Sequence, residues 1–227
     1  DKLDYYTSEW KKLGFQPDGI YTGFLSSEKQ VDKILDFINS FETENTLVLV
    51  DPVMGDGGRT YSLFTDALAC KMKKLVTVAD VITPNLTECC ILCDVDYCEF
   101  IKNADKPDFM DKIAELGKNL LNRYGVKIVI ITGIEHKDIE GTMYVQNLIA
   151  SKDEVFSVSC KKIGGSYSGT GDLFASVMFS GLLRGDTLRD TVSLAVKFIE
   201  TSLRDTVALG IDRNEGIEFE KHLKILL

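Results

Sequence analysis

The chain has 227 residues, 44% hydrophobic and 27% charged, enough for one α/β domain or two small ones with a sizeable core. A formal net charge of −9 and a pI near 4.8 exclude a general polyanion-binding surface, so an anionic ligand needs a local site and nucleic acid is not an expected partner. The longest apolar stretch, Leu173–Leu183, carries two serines and is too short to span a bilayer. No signal-peptide pattern opens the sequence. It starts "DKLDYYTSEW", without Met and already inside a plausible helix, and reads as a fragment or a trimmed chain.

In chain order, "YYTSEWKKLG" has helical spacing and stops at Gly14. "GIYTG" reads as a short strand. "SSEKQVDKILDFINSF" places Val31, Ile34, Leu35 and Ile38 on one face of an amphipathic helix. "TLVLVD" is a continuous apolar run, the pattern of a strand buried on both faces. "SLFTDALACKMKKLV" is helical, "VIT" a short strand, "NLTECCILC" a short helix, and "DFMDKIAELGKNLLNRYG" a helix ending at Gly125. "KIVIIT" is a further buried strand. "GTMYVQNLI" and "EVFSVSCKK" alternate enough to pair as an antiparallel hairpin. "DLFASVMFSGLLRG" and "LRDTVSLAVKFIETSLRD" close the chain as helices. Repeated βα units imply a mainly parallel sheet with helices on both faces. No repeat, low-complexity segment or linker interrupts the pattern, which predicts a single domain over 1–227.

The six cysteines, at 70, 89, 90, 93, 98 and 160, are irregularly spaced and suggest reduced thiols in a cytosolic setting. Cys90-Ile-Leu-Cys93 is formally CxxC, but "LTECCILCDV" reads as the apolar face of a short helix, so the pair is expected in the core. His136 and His222 are the only histidines, both in polar contexts, which gives histidine-based catalysis little support.

In such a fold, ligands bind beyond the carboxyl ends of the strands. Polar motifs stand at those places: Asp51-Pro-Val-Met-Gly-Asp56-Gly-Gly, Thr83-Pro-Asn85-Leu-Thr-Glu88, Thr132-Gly133, and Gly169-Thr170-Gly171-Asp172. In the last, glycines let backbone approach a ligand, and amides at a helix start carry partial positive charge. The amides of Gly169, Thr170 and Gly171 can therefore form an anion hole for phosphate. Asp172 beside it is best used to take a proton from a hydroxyl attacking that phosphate; alternatively it is only an N-terminal acid favoured by the helix dipole. Asn85 and Glu88 stand close to a capping box, against a reading in which Glu88 meets a metal-bound water and Asn85 a phosphate. Asp51 and Asp56 either finish a strand and a turn or help place Mg²⁺, a hard cation that prefers oxygen and keeps several waters. Neither a GxxxxGK[ST] loop nor a GxGxxG after a first strand is present. Lys161 and Lys162 read as solvated strand-end residues.

Together "DPVMGD", "ITPNLTE", "IITG" and "SGTGDLFA", in this order, resemble the pyridoxal kinases of the ribokinase superfamily, from "GIYTGFL" to the C-terminal helices. The resemblance implies a ribokinase-like α/β/α sandwich transferring the γ-phosphoryl of ATP to the hydroxymethyl group of a B6 vitamer (pyridoxal, pyridoxine or pyridoxamine), in a cytoplasmic homodimer. By motif, it implies Asp172 as general base, the amides of Gly169, Thr170 and Gly171 as anion hole, and Glu88 and Asp56 in the Mg²⁺ network. Asp51, Asn85, Thr132 and Gly133 would line nucleotide phosphates or a monovalent cation, K⁺ or Na⁺. Tyr61 is similar to a family tyrosine that covers the pyridine ring. The family's glycine-rich first strand and helix have no match here, so the resemblance implies a chain without its first βα unit. Two alternatives stay open. One is kinase action on hydroxymethylpyrimidine, whose enzymes share these motifs but usually carry cysteine where Asp172 stands. The other is a catalytically silent vitamer-binding protein.

Overall fold

A computed structural model describes residues 2–104 and 106–227. The chain divides into two compact units, Asp1–Ile131 with Ile149–Val155, and Thr132–Leu148 with Phe156–Leu227.

In the first unit, three apolar runs become parallel strands: β1 (Gly19–Thr22), β2 (Leu47–Val50) and β5 (Val81–Ile82), with β6 (Ile128–Lys137) beginning alongside. Val48, Leu49, Val50, Val81, Ile82 and Val129 are fully buried, as two-sided parallel strands require. Helix α1 (Lys2–Lys12) buries no residue completely. Its Trp10 meets the rings of Phe15, Phe37 and Phe41 at centroid distances of 5.1, 5.9 and 6.3 Å. Helix α2 (Glu28–Phe41) starts where the Ser27 side chain accepts the Gln30 amide, and it buries Val31, Ile38 and Phe41. Ile34 and Leu35, expected on that face, are half-buried. Helix α3 (Asp66–Val76) begins four residues later than the pattern from Ser62 predicts, because the Thr65 side chain accepts the Leu68 amide and fixes the start there. Helices α4 (Leu86–Cys93), α5 (Tyr97–Ile101) and α6 (Phe109–Tyr124) follow, the last closed by Gly125 at φ +72°. Cys89 and Cys90 are buried on α4, and burial pushes the Cys90 thiol up to about 11, an inert environment.

Two features of this unit were not legible from periodicity. Gly55–Asp56 (β3) and Arg59–Thr60 (β4) form a small antiparallel hairpin. Its turn residues, Gly57 and Gly58, have φ of +57° and +78°, the pairing of positive values that suits a two-residue hairpin turn. At the opposite end of the parallel strands, Asp80 ties three segments of the chain together. Its Oδ2 accepts the Val48 amide at 2.8 Å, its carbonyl accepts the amides of Lys127 and Ile128, and its Oδ1 pairs with Lys127 Nζ at 2.8 Å.

In the second unit, β6 runs on to Lys137, well beyond the predicted "KIVIIT". It is followed by β7 (Met143–Ser151) and β8 (Val155–Lys161). The Ser151 amide donates to Glu154 at one end of this pair and the Lys162 amide to Met143 at the other, which makes it the expected antiparallel hairpin. The strand order is β1-β2-β5-β6-β7-β8. Helices α7 (Thr170–Arg184) and α8 (Leu188–Ala208) pack closely: a Cβ on Gly181 would lie 2.4 Å from Thr191 Oγ1. A 3₁₀ helix, Glu220–Leu226, ends the chain, with His222 Nε2 3.1 Å from Asp205 Oδ2.

Candidate active site

The parallel ladder continues one residue past the strand ends. The Asp51 amide donates to the Thr22 carbonyl at 2.8 Å and the Thr83 amide to the Val50 carbonyl at 3.3 Å. Asp51 therefore follows β2, and Thr83 follows β5, at the carboxyl ends where open α/β sheets bind ligands. Asp51 is buried, and its Oδ1 accepts the Thr83 hydroxyl at 3.1 Å.

Helix α4 opens beside them. Asn85 Oδ1 accepts the Glu88 amide at 3.0 Å and Glu88 Oε2 accepts the Asn85 amide at 2.8 Å, a complete capping box. Both residues also reach the "DPVMGDGG" loop. Glu88 Oε1 accepts the Met54 amide at 3.0 Å, and Asn85 Nδ2 donates to the Gly55 carbonyl at 2.7 Å. Thr87 Oγ1, a motif residue given no role by the sequence, accepts the Gly58 amide at 2.9 Å. One turn of helix thus frames the loop bearing Asp56, whose own Oδ1 accepts the Gly57 amide at 2.8 Å.

Glu88 is 3% exposed. Burial, then the nearby Asp51 charge, pushes its carboxyl up to about 8 against the opposing pull of backbone amides. Tyr61, 44% exposed, has its phenol pushed up by burial first and then by the charges of Asp56, Glu88 and Asp51. One phenol therefore senses three carboxylates. Among the described residues no group of three or more His, Cys, Asp or Glu side chains is placed to hold a metal unaided. The donor set nevertheless fits Mg²⁺, which binds through one or two carboxylates, retained waters and substrate phosphates, and whose charge would relieve the unfavourable ionisation of Glu88.

In the second unit, Thr132 and Gly133 lie on β6. Gly133, at φ +70°, donates its amide to Oδ1 of the buried Asn147 at 3.3 Å. Gly169 is the N-cap of α7 at φ +80°, with no side-chain cap. The Leu173 amide is bonded to the Gly169 carbonyl at 3.0 Å, so the first-turn amides precede the helical ladder. Thr170 Oγ1 donates to the Tyr167 carbonyl at 3.0 Å, and the Ser168 amide to the Arg213 carbonyl at 2.9 Å, anchoring the loop from both sides. Asp172 lies exposed in the first turn. Lys162 pairs with Glu135 at 2.6 Å. His136 stacks on Tyr144 at a 5.5 Å centroid distance.

These elements form the ribokinase-like fold, and the profile of the phosphomethylpyrimidine kinase family matches residues 11–216. The chain belongs to that family. It is similar to a Bacteroides thetaiotaomicron VPI-5482 protein assigned as a phosphomethylpyrimidine kinase and solved in an orthorhombic form with pyridoxal. The two are 36% identical with a TM-score of 0.88, over 100% of this chain and 76% of that one. It is also similar to the Schizosaccharomyces pombe protein C18.10, assigned as a pyridoxal kinase, at 29% identity over 74% of this chain. A Staphylococcus aureus (strain MSSA476) hydroxymethylpyrimidine/phosphomethylpyrimidine kinase is 27% identical over 87% of it. The chain spans 47% of the yeast relative and 66% of the staphylococcal one. No helix among the described residues is long and apolar enough to cross a membrane.

Proposed function

We propose that this chain carries the phosphotransferase chemistry of a pyridoxal kinase, moving the γ-phosphoryl of ATP to the hydroxymethyl oxygen of a B6 vitamer. The observation that carries the reading is Asp172 in the first turn of α7, directly after the Gly169–Gly171 amides. A base belongs where an alcohol must lose its proton to attack phosphorus, and amides belong where charge collects on the transferred oxygens. In the kinases of hydroxymethylpyrimidine that this sequence also resembles, cysteine usually occupies that place. The pyridoxal present in the Bacteroides structure, at 36% identity, points the same way.

In this scheme Asp172 accepts the hydroxyl proton and orients the oxygen, while the amides of Gly169, Thr170 and Gly171 take the phosphoryl oxygens. Tyr61 covers the pyridine ring. Glu88 and Asp56 would hold Mg²⁺, which would supply charge neutralisation for the phosphates. Asp51, Asn85, Thr132 and Gly133 line phosphates or a K⁺ or Na⁺ ion, and the working protein is a homodimer.

The second reading, phosphorylation of hydroxymethylpyrimidine, is favoured by the description of the matching family and by the staphylococcal relative. A coupled assay over pyridoxal, pyridoxine, pyridoxamine and hydroxymethylpyrimidine separates the two. The expected result is a kcat/KM for one vitamer about tenfold or more above that for the pyrimidine, a difference of roughly 1.4 kcal/mol in transition-state binding. Preference for the pyrimidine selects the second reading. Nucleotide binding without transfer to any of the four selects a silent binding protein.

A further inference from the structure

Gly58 is enclosed from two sides. Its amide donates to Thr87 Oγ1 at 2.9 Å on α4. A Cβ built on it would lie 2.5 Å from Cδ1 and 2.7 Å from Cε1 of Tyr97, on α5, so the phenol ring lies flush against the bare glycine. Thr87 is buried and Tyr97 half-buried. The strands that the turn joins are only two residues each, so the hairpin has little stability of its own. Its outer end carries Asp56, paired in register with Arg59, and the chain leaves it directly into Tyr61, whose amide donates to the Met54 carbonyl at 3.1 Å. Thr87 lies inside "ITPNLTE" with no role marked for it, Tyr97 lies outside every motif, and neither is needed to start its own helix: Asn85 caps α4 and Asp96 caps α5.

We propose that Thr87 and Tyr97 are positioning residues that clamp the Gly57–Gly58 turn and thereby set the placement of Asp56 and Tyr61. The proposal deepens the kinase reading, since it assigns what holds the vitamer-covering tyrosine in place. The contacts act on one turn, one as a hydrogen bond and one as a packed ring, so releasing either frees the same hairpin. Their effects are therefore coupled rather than additive.

The test uses Thr87→Val, Tyr97→Ala, the double variant, and the conservative Thr87→Ser and Tyr97→Phe. Exchange of the Gly58 amide with deuterium, read by NMR, reports the clamp whether or not the chain transfers phosphate. Each disruptive variant is expected to speed that exchange by about fivefold or more, the equilibrium weight of one net hydrogen bond, while exchange in the β2 amides stays unchanged. With pyridoxal as acceptor, the same variants raise KM by roughly fivefold to tenfold with kcat within about twofold, the double variant no worse than the worse single one. Thr87→Ser and Tyr97→Phe behave as wild type. Unchanged Gly58 exchange in both Thr87→Val and Tyr97→Ala overturns the clamp. Faster exchange with an unchanged KM in an active enzyme overturns its role in placing the acceptor. A wild-type chain that transfers no phosphate overturns the kinase reading instead, and the exchange measurement still decides the clamp.

Discussion

The carboxylate of Glu88 reaches 34 positions back along the sequence to take the amide of Met54, at 3.0 Å, while its other oxygen caps its own helix at Asn85. A group used on both oxygens for framing is also a carboxyl whose ionisation the fold opposes, through burial first.

That opposition has a sign. With its carboxyl raised from an ordinary 4.5 to about 8, Glu88 keeps a proton in the folded chain that it loses in the unfolded one. Stability from this group is present below about pH 4.5 and is lost as pH climbs towards about 8. Thermal melts from about pH 5 to about pH 8.5 should show that decline, and Mg²⁺ should reduce it by favouring the ionised form. Glu88→Gln, which does not titrate, should flatten it. The same variant leaves one framing amide facing an NH₂ group, at a cost of about 1–3 kcal/mol near pH 5. In kinase assays it should raise the Mg²⁺ needed for half-maximal rate by about tenfold; an unchanged Mg²⁺ curve reduces Glu88 to framing alone.

Asp172→Asn should slow the chemical step by roughly 10²–10⁴-fold, with nucleotide affinity close to wild type. Single-turnover kinetics combined with calorimetry separates the two quantities. Near-normal turnover in the folded variant removes Asp172 as the base.

Gly171 discriminates an anion hole from an ordinary helix start. A Cβ there meets nothing within 4 Å, and the residue does not need positive φ. For stability alone, alanine should be neutral or better by up to about 1 kcal/mol, because it favours the helix. If a phosphate approaches that backbone, Gly171→Ala should weaken nucleotide binding by about tenfold without lowering the melting temperature. Undiminished binding moves the phosphate elsewhere.

Gly58→Ala should destabilise the protein by about 1–3 kcal/mol, through positive φ and collision with the Tyr97 ring. Adding Tyr97→Ala should recover the collision part and leave the backbone part. A double variant as unstable as the sum of the singles contradicts that division.

The sequence showed what depends on short range. The apolar run at 47–50 marked a two-sided strand, and Asn85 with Glu88 three residues on marked a helix start that the structure completes as a capping box. "DGGR" held a hairpin signal in its paired glycines, legible from turn chemistry but hidden from periodicity because each strand has two residues. Thr87 sits inside "ITPNLTE" with no role marked for it, and Tyr97 gave no signal at all. Their partner Gly58 lies 29 and 39 positions away, and nothing local marks a hydroxyl or a ring for so distant a contact. The start of α3 went astray because Leu63 and Phe64 continue a helical apolar pattern that the Thr65 cap overrides.

Asp80 lies at the amino-terminal ends of the parallel strands, away from every motif, yet it holds Val48, Lys127 and Ile128 in one alignment. Strand partners two residues wide, as at Leu49–Val81 and Val50–Ile82, leave little else to choose between one alignment and the next. A slip of one place would turn Asp51 from one face of the sheet to the other. Genetic screens of this chain should therefore recover inactive alleles at Asp80 with every catalytic letter intact, and reversion should favour restored alignment over altered chemistry.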